Sequence, residues 1–397
     1  MQAMPAPHRE TGTPQRVSWH ARWLGMRDRL LASATFRRKA AAFPLTAPIA
    51  RARARELFDL VAGFVYSQVL LACVQLRLFD ILAEGPQSVA RLSGRLALPM
   101  ESTERLITAA VALRLVERRG DHVGEQRFGL GPLGASMVGN AAIAAMVEHH
   151  AALYADLRDP VALLRNGGAG SSLAKYWPYA DPSGADALSK ESVGDYSALM
   201  SASQPLVADQ ILDAYPMSRH RCLLDVGGGE GGFVTSAARR SPALQLMLFD
   251  LPAVAERARL RCAQSDVAAR LRIFGGSFLA EPLPQGADIA TLVRVMHDHD
   301  DATCLQLLQA VRRALPPGGT LLVAEPLAQT PGAERMGDAY FGFYLLAMGR
   351  GRPRTFDQLR ALLEAAGFDR VRQIATHVPL QTGLLVARAA ALDEAKP

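Results

Sequence analysis

From Arg221 onward the chain alternates short apolar runs with segments of helical periodicity, and that alternation narrows its choice of fold more than any other feature. "CLLDV" (222–226), "LQLMLFD" (244–250), "LRIFGGSF" (271–278), "DIATLVRV" (288–295) and "GTLLVAE" (319–325) are five to eight residues long, with helix-length segments between them. Runs that are apolar throughout, instead of at every second residue, are what strands need when both faces of their sheet are covered. Strand and helix in alternation give a parallel sheet with helices packed on both faces. "RTFDQLRALLEAAG" (354–367) adds a late helix, and "FDRVRQIATH" and "TGLLVARAA" two closing strands. The fold class is therefore α/β, with a doubly wound sheet. Ligands of such sheets gather outside the carboxyl ends of the strands. The polar clusters of this half lie there: Asp225 and its glycines, Asp250, Ser277 with Phe278, the octet "RVMHDHDD" (294–301), and Glu325.

The first half reads differently. "VYSQVLLACVQLRLFDILAEG" (65–85), "SVARLSGRLAL" (88–98, with Ser88 as N-cap) and "ESTERLITAAVALRLVERR" (101–119) have helical periodicity. "LVERRGDHVGEQRFGL" (115–130) reads as two strands about a Gly-Asp turn. Three helices and a hairpin make a winged-helix pattern. Its third helix, with Glu101, Glu104 and Arg105, is nearly neutral, which argues against nucleic acid as a partner. The apolar helix Val65–Leu82 points instead to a dimer platform. A helical zone from Ala141 to Ala214 follows, broken by "NGGAGSSLAKYWPYADPSG" (166–184). Four segments result: a basic extension over 1–55, a winged-helix-like domain over 56–140, a helical linker and substrate-lining segment over 141–215, and a catalytic domain over 216–397.

Charge sets the extension apart. Residues 1–55 hold eleven Arg or Lys against Glu10 and Asp28, a net +9, so the remaining chain is about −3 when the whole carries +6. Trp19, Trp23, Leu24, Leu30 and Leu31 are interleaved with Arg22, Arg27 and Arg29 at loosely helical spacing. Such a segment is either a basic amphipathic helix for an anionic membrane surface or a solvated arm. No apolar run reaches the roughly 18 to 20 residues of a membrane span, and the N-terminus lacks a signal peptide's apolar core, so the chain is expected not to span a bilayer. The cysteines, Cys73, Cys222, Cys262 and Cys304, lie far apart, which suits reduced thiols in the cytoplasm.

Two motifs carry chemistry. In "DVGGGEGG", Gly227, Gly229 and Gly232 have G-x-G-x-x-G spacing, and Asp250 closes the next strand 23 residues after Gly227. The spacing serves a dinucleotide as well as another nucleoside-bearing ligand. Asp225, an acid two residues before the glycines, favours a cationic ligand with an amino group, whereas a pyrophosphate gains from a bare helix N-terminus. The octet admits three readings: a metal site, a catalytic base with its neighbours, or the charged start of a helix. No second ligand group of recognisable spacing supports a metal. An acidic cluster suits Asp300 and Asp301, with His299, to a helix N-terminus.

"LLDVGGGEGGF", "LFDLPAV", "GGSFLAEPLP", "VMHDHDD", "LPPGGTLLVAEP" and "RTFDQLRALLEAAGF", in this order behind a winged-helix pattern, resemble the S-adenosylmethionine-dependent small-molecule O-methyltransferases of the plant caffeate and bacterial antibiotic type. The resemblance spans roughly residues 57–390. "FVYSQVLLACVQLRLFDILAEGP", "LAKYWPYA" and "DAYFGFYLLAMGRGRPRT" are similar to the branch that methylates acyclic carotenoids such as hydroxyneurosporene and demethylspheroidene. The resemblance implies a Rossmann-like methyltransferase sheet behind a dimerisation domain, S-adenosylmethionine as cofactor, a carotenoid as acceptor, and a homodimer. It places the cofactor loop on Gly227 and Gly229, the ribose-binding acid on Asp250, and the base on His297. The family's Gly-Asp-Met-Phe is Gly275, Gly276, Ser277 and Phe278 here. Its adenine-side acid is missing, so Ser277 and Phe278 are the candidates on that side. The family's second orienting acid is replaced by Pro353.

A histidine fits the chemistry, because methyl transfer to a hydroxyl needs an aligned oxygen and a group that titrates near working pH to take its proton. Glu325 ends the strand expected beside the one that leads to His297, and would orient it; Asp298 is a second candidate. The acceptor pocket is expected around Tyr340, Phe341, Tyr344 and Met348, with Tyr196 and Met200 as looser candidates and His149, His150 and Tyr154 as polar contacts. The alternatives are methylation of a phenolic metabolite, an NAD-dependent dehydrogenase, and a non-catalytic winged-helix regulator.

Overall fold

The computed structural model describes residues 18–122, 125–176, 204–377 and 382–391. Helices α1 (Trp19–Ala32) and α2 (Ala34–Ala42) each begin at a serine, Ser18 and Ser33, whose hydroxyl accepts a hydrogen bond from the N–H three residues on. Neither helix buries a residue. Helix α3 (Ala47–Gln75) runs 29 residues, so residue 55, where the charge pattern changes, lies inside it. This helix does not continue to Leu82 as its periodicity predicts. Arg77 takes a left-handed conformation (φ 54°), and α4 (Leu78–Ala83) starts afresh. In α4 the residues Leu78, Phe79, Ile81 and Leu82 share one face and are all buried.

Against the expectation that no apolar run is long enough, α3 holds an 18-residue stretch apolar enough, by length and composition, to cross a membrane (mean hydropathy 1.9). Ser67 and Gln68 interrupt a run but not an average. The stretch is two-faced: Val69, Leu70, Cys73 and Val74 pack into the small domain, while Leu57, Leu60, Val61 and Phe64 are exposed.

Strand β1 (Gln87–Ser88), α5 (Val89–Leu96), α6 (Met100–Ala112), β2 (Val116–His122) and β3 (Glu125–Leu130) complete a winged-helix arrangement, with an antiparallel sheet in the order β1-β3-β2. The hairpin does not reverse at Gly120-Asp121. Gly120 (φ 81°) sits at a register shift between Arg118 and Asp121, and the strand runs on to pair His122 with Glu125. A glycine there makes a bulge instead of a turn. Helices α7 (Pro132–Ala135), α8 (Ala141–Asp156), α9 (Pro160–Arg165) and α10 (Ser172–Tyr176) follow, and α11 spans 204–214.

Seven strands form the main sheet: β4 (Cys222–Val226), β5 (Gln245–Asp250), β6 (Leu271–Gly275), β7 (Ile289–Val293), β8 (Thr320–Glu325), β9 (Phe368–Ile374) and β10 (Gly383–Ala389). Their order is β6-β5-β4-β7-β8-β10-β9, and only β10 runs against its neighbours. Helices α12 (Gly232–Arg240), α13 (Pro252–Cys262), α14 (Asp301–Ala314), α15 (Phe341–Ala347) and α16 (Phe356–Ala365) connect or flank the strands. Alternate strand residues feed two cores. Leu223, Leu246, Leu248 and Leu322 meet Val207 and Ile211 of α11 and Phe233 of α12. Leu224, Met247, Ala290 and Leu321 meet Leu307 and Leu308 of α14 and Leu363 of α16. The order of the strands reverses between β4 and β7, and the crevice at that switch point is where such sheets take ligands.

Candidate active site

The left wall of the crevice is the glycine loop after β4. Gly227 (φ 71°) turns the chain, and a side chain there would meet Val295 Cγ2 at 2.7 Å, so both conformation and space require glycine. Gly229, also left-handed at φ 58°, faces open space, and its N–H donates to Asp250 Oδ2 at 2.7 Å. The Leu251 N–H donates to the other oxygen, also at 2.7 Å. Burial pushes Asp250 up to about 6 despite those two donors.

Asp225 is 1% exposed. The Thr291 hydroxyl donates to its Oδ1 at 2.6 Å, while Oδ2 has no partner among the described residues. Burial, only partly offset by Thr291, raises it to about 7. A buried carboxylate oxygen without a donor is costly, so it calls for a donor or a cation. Two acids, Asp225 buried and Asp250 half-buried, flanking an open glycine loop fit a ligand that carries hydroxyls and a positive charge.

Beyond β6, the Ser277 N–H donates to Glu281 Oε2 at 2.7 Å, and Phe278 meets His299 edge-on, ring centroids 5.5 Å apart. Glu281 is an acid that the sequence reading passed over. It comes from a short loop whose fold no local pattern announces.

The right wall is built around His297, which follows β7 in a single 3₁₀ turn, Met296–Asp298. Its Nδ1–H donates to Glu325 Oε2 in a short hydrogen bond. The other oxygen of Glu325 accepts from the N–H groups of Val295 (2.9 Å) and Met296 (2.7 Å). Glu325, 2% exposed, thus fixes both the ring and the turn that carries it. On the other side His297 Nε2 lies 3.2 Å from Asp298 Oδ1. Burial works against an imidazolium, but Asp298 and Glu325 outweigh it, and His297 is held above its usual value. Asp298 is likewise raised, by burial. The second carboxylate on this histidine therefore comes from its sequence neighbour, not from the stretch around Pro353.

That stretch contributes a cation instead. Arg354, 2% exposed, donates to the carbonyl oxygens of Met296 (2.8 Å) and His299 (2.7 Å) and to Asp301 (2.8 Å). It grips both ends of the turn that bears His297. Next to it, Gly351 (φ 82°) packs so closely that a side chain would meet the His297 carbonyl oxygen at 2.1 Å. The signal in the sequence is an arginine placed at a helix N-terminus, where the dipole disfavours it, just before the capping box of Thr355 and Gln358. The remaining acids of the octet behave as a helix start. The Asp300 side chain caps α14 by accepting from the Thr303 N–H at 2.8 Å, and Asp301 pairs with Arg352 and Arg354.

Above His297 lies a cavity of about 490 Å³. Tyr340, Phe341, Tyr344 and Met348 line it, together with Arg294, Met146 and His150. The stretch is not one regular helix: Arg335–Tyr340 forms a π-turn before α15, a feature that recurs at functional sites. Phe341 faces the His297 ring, centroids 6.2 Å apart. His149 and His150 use Nε2 on protein partners, the hydroxyls of Tyr344 (2.8 Å) and Tyr340 (2.7 Å). Tyr154 pairs with Ser67 of α3. Tyr196 and Met200 lie outside the described residues. A second depression, about 510 Å³, opens between Tyr215, His220, Asp288 and Arg388 and shares no residue with either wall. Among the described residues no three His, Cys, Asp or Glu side chains are grouped to hold a metal.

Comparison with known proteins agrees with this architecture. An O-methyltransferase domain model matches residues 154–369, and an O-methyltransferase dimerisation domain model matches residues 58–140. The chain is 43% identical over 344 residues to demethylspheroidene O-methyltransferase of Cereibacter sphaeroides, covering 87% of this chain and 89% of that one. It is 40% identical to the protein of the same name from Rhodobacter capsulatus, over 87% and 84% of the two chains. Human N-acetylserotonin methyltransferase, solved in complex with SAM, superposes with a TM-score of 0.71 at 25% identity, covering 85% of this chain and 98% of its own.

Proposed function

The chain belongs to the O-methyltransferase family, and we propose that it transfers a methyl group from S-adenosylmethionine to the tertiary hydroxyl of an acyclic carotenoid such as hydroxyneurosporene or demethylspheroidene, with His297 as general base. The observation that carries this reading is a carboxylate-held histidine at the floor of an apolar cavity. Asp225, Gly227, Gly229, Asp250, Ser277 and Phe278 would hold S-adenosylmethionine, which would supply an electrophilic methyl group on a sulfonium. What remains for the protein is to align the acceptor oxygen and remove its proton.

His297 Nε2 takes that proton. Glu325 holds Nδ1–H, fixes the tautomer and steadies the imidazolium that results, the base-and-carboxylate logic of a triad without its nucleophile. Asp298, 3.2 Å from the same Nε2, is placed to stabilise the charge. Tyr340 and Tyr344 have their hydroxyls tied to His150 and His149, so the cavity presents few polar groups to a long hydrocarbon. Two relatives, 43% and 40% identical, are named for demethylspheroidene, which supports a carotenoid acceptor over a phenol.

A second copy covers the exposed apolar face of α3, the commonest arrangement being a twofold dimer. The enzyme works in the cytoplasm, peripheral to the membrane that dissolves such an acceptor. Incubation with methyl-labelled S-adenosylmethionine and a panel of hydroxycarotenoids and phenols tests the substrate. Label on a 1-hydroxycarotenoid is the expected result, and label on phenols alone would replace the carotenoid with a secondary metabolite.

A further inference from the structure

The helices that precede the dimerisation domain carry a surface of their own. Trp19, Trp23, Met26 and Leu30 recur at i, i+4, i+7 and i+11, the spacing of one helical stripe, yet they are 87%, 55%, 51% and 44% exposed. Leu24 and Leu31, on the other side of α1, are half-buried. At 3.6 residues per turn Arg22 and Arg29 fall along one border of the stripe and Arg27 along the other, with Asp28 opposite. The Arg27 guanidinium leans over the Trp23 ring, 5.8 Å from its centroid. Phe36, Phe43, Leu45 and Ile49 extend the exposed apolar surface across α2 into the first turns of α3.

The charge of this surface identifies what it meets. From residue 18 to residue 55 there are nine Arg or Lys and one acid, Asp28, a net +8. Arg22, Arg38, Lys39, Arg51, Arg53 and Arg55 form no ion pair among the described residues. A second copy would bring the same cations against these, and like charges brought together at an interface repel. The neutral stretch of α3 from Leu60 to Gln75, which bears no charged residue, has no such objection. The two exposed faces therefore have different occupants: a second copy for α3, and an apolar phase bordered by anions for the arm. A leaflet with anionic headgroups provides that pair of properties, with tryptophans at headgroup depth and arginines on phosphates.

We propose that α1, α2 and the start of α3 dock on an anionic lipid bilayer, α1 lying in the interface plane with the Trp19–Leu30 stripe inserted. As an account of how the acceptor is delivered, this rests on the carotenoid reading; as a membrane contact it stands on the arm alone. It is tested with the full chain on carotenoid-free vesicles of phosphatidylcholine, with and without phosphatidylglycerol. The chain sediments with the anionic vesicles, releases as salt rises from about 0.1 M to about 1 M, and binds neutral vesicles weakly. Arg38→Gln with Lys39→Gln weakens anionic binding roughly thirtyfold. Trp19→Ser with Trp23→Ser weakens it as well, and removes the blue shift of tryptophan emission on binding. All four positions are exposed, and unchanged S-adenosylmethionine binding by the variants shows that they fold. Equal binding to neutral and anionic vesicles, no binding at low salt, or variants that bind like the parent would overturn the proposal. So would variants that shrink the lipid-free oligomer, because the face would then be an interface between copies. A chain that binds these vesicles but labels only phenols would sink the carotenoid and leave the docking intact.

Discussion

The two walls of the crevice are finished to different degrees. On the histidine wall each polar group meets a partner: His297 has Glu325 and Asp298, the turn that carries it has Glu325 on one side and Arg354 on the other. On the glycine wall Asp225 keeps a buried oxygen without a donor, and burial holds both Asp225 and Asp250 above the usual carboxylate range. One wall is built to work as it stands. The other is completed by what it binds, since a cation there relieves an unmet carboxylate. Substitutions at the first wall should therefore act on turnover, and those at the second on ligand affinity and its pH dependence.

The largest effect that would break this division is at the base. His297→Ala should lower turnover roughly 10²- to 10⁴-fold while S-adenosylmethionine affinity, measured by calorimetry, stays within a few-fold. An equal loss in both would erase the distinction between the walls.

Arg354→Lys comes next. Lysine keeps the charge but cannot reach two carbonyl oxygens and a carboxylate from one planar fork, so the His297 turn loosens. Turnover should fall roughly 10- to 100-fold, as for a small misplacement of a reacting group, again with cofactor affinity nearly unchanged. Asp225→Asn is the converse: roughly tenfold weaker cofactor binding for the loss of a charge-assisted contact, and saturated turnover close to the parent's.

The smallest effects are in pH. His297 must be unprotonated to act, and its neighbours hold it above 6.5, so turnover should rise with pH through a value above that point. Asp298→Asn removes one of the carboxylates that raise it, and the acid limb of the profile should move to lower pH. A limb that stays put would take Asp298 out of the account.

Much of this was legible in the sequence, for reasons that differ by element. The parallel strands announce themselves because burial on both faces demands runs such as "CLLDV" and "GTLLVAE", and Asp225, Asp250, His297 and Glu325 stand out because each lies at or just past the carboxyl end of such a run. Arg354 is marked only by its place before a capping box, which says nothing of its partners, because these lie as far as 58 positions away in the chain. The ties from His149 and His150 to Tyr344 and Tyr340, across 195 and 190 positions, do not stand out either. The break at Leu76–Arg77 was hidden for another reason: apolar periodicity runs straight through it. Gly120 reads as a turn by composition, yet the same left-handed freedom also serves a bulge.

The division between the walls meets its most direct test in the protons exchanged when the cofactor binds. With Asp225 near 7 in the unliganded site, a cation that settles beside it must displace its proton. Calorimetry of S-adenosylmethionine binding at pH 7, repeated in buffers of different ionisation enthalpy, should therefore show a net release of protons. That release should vanish in Asp225→Asn and persist in His297→Ala. No release in the parent chain, or a release that survives in Asp225→Asn and disappears in His297→Ala, would contradict the account.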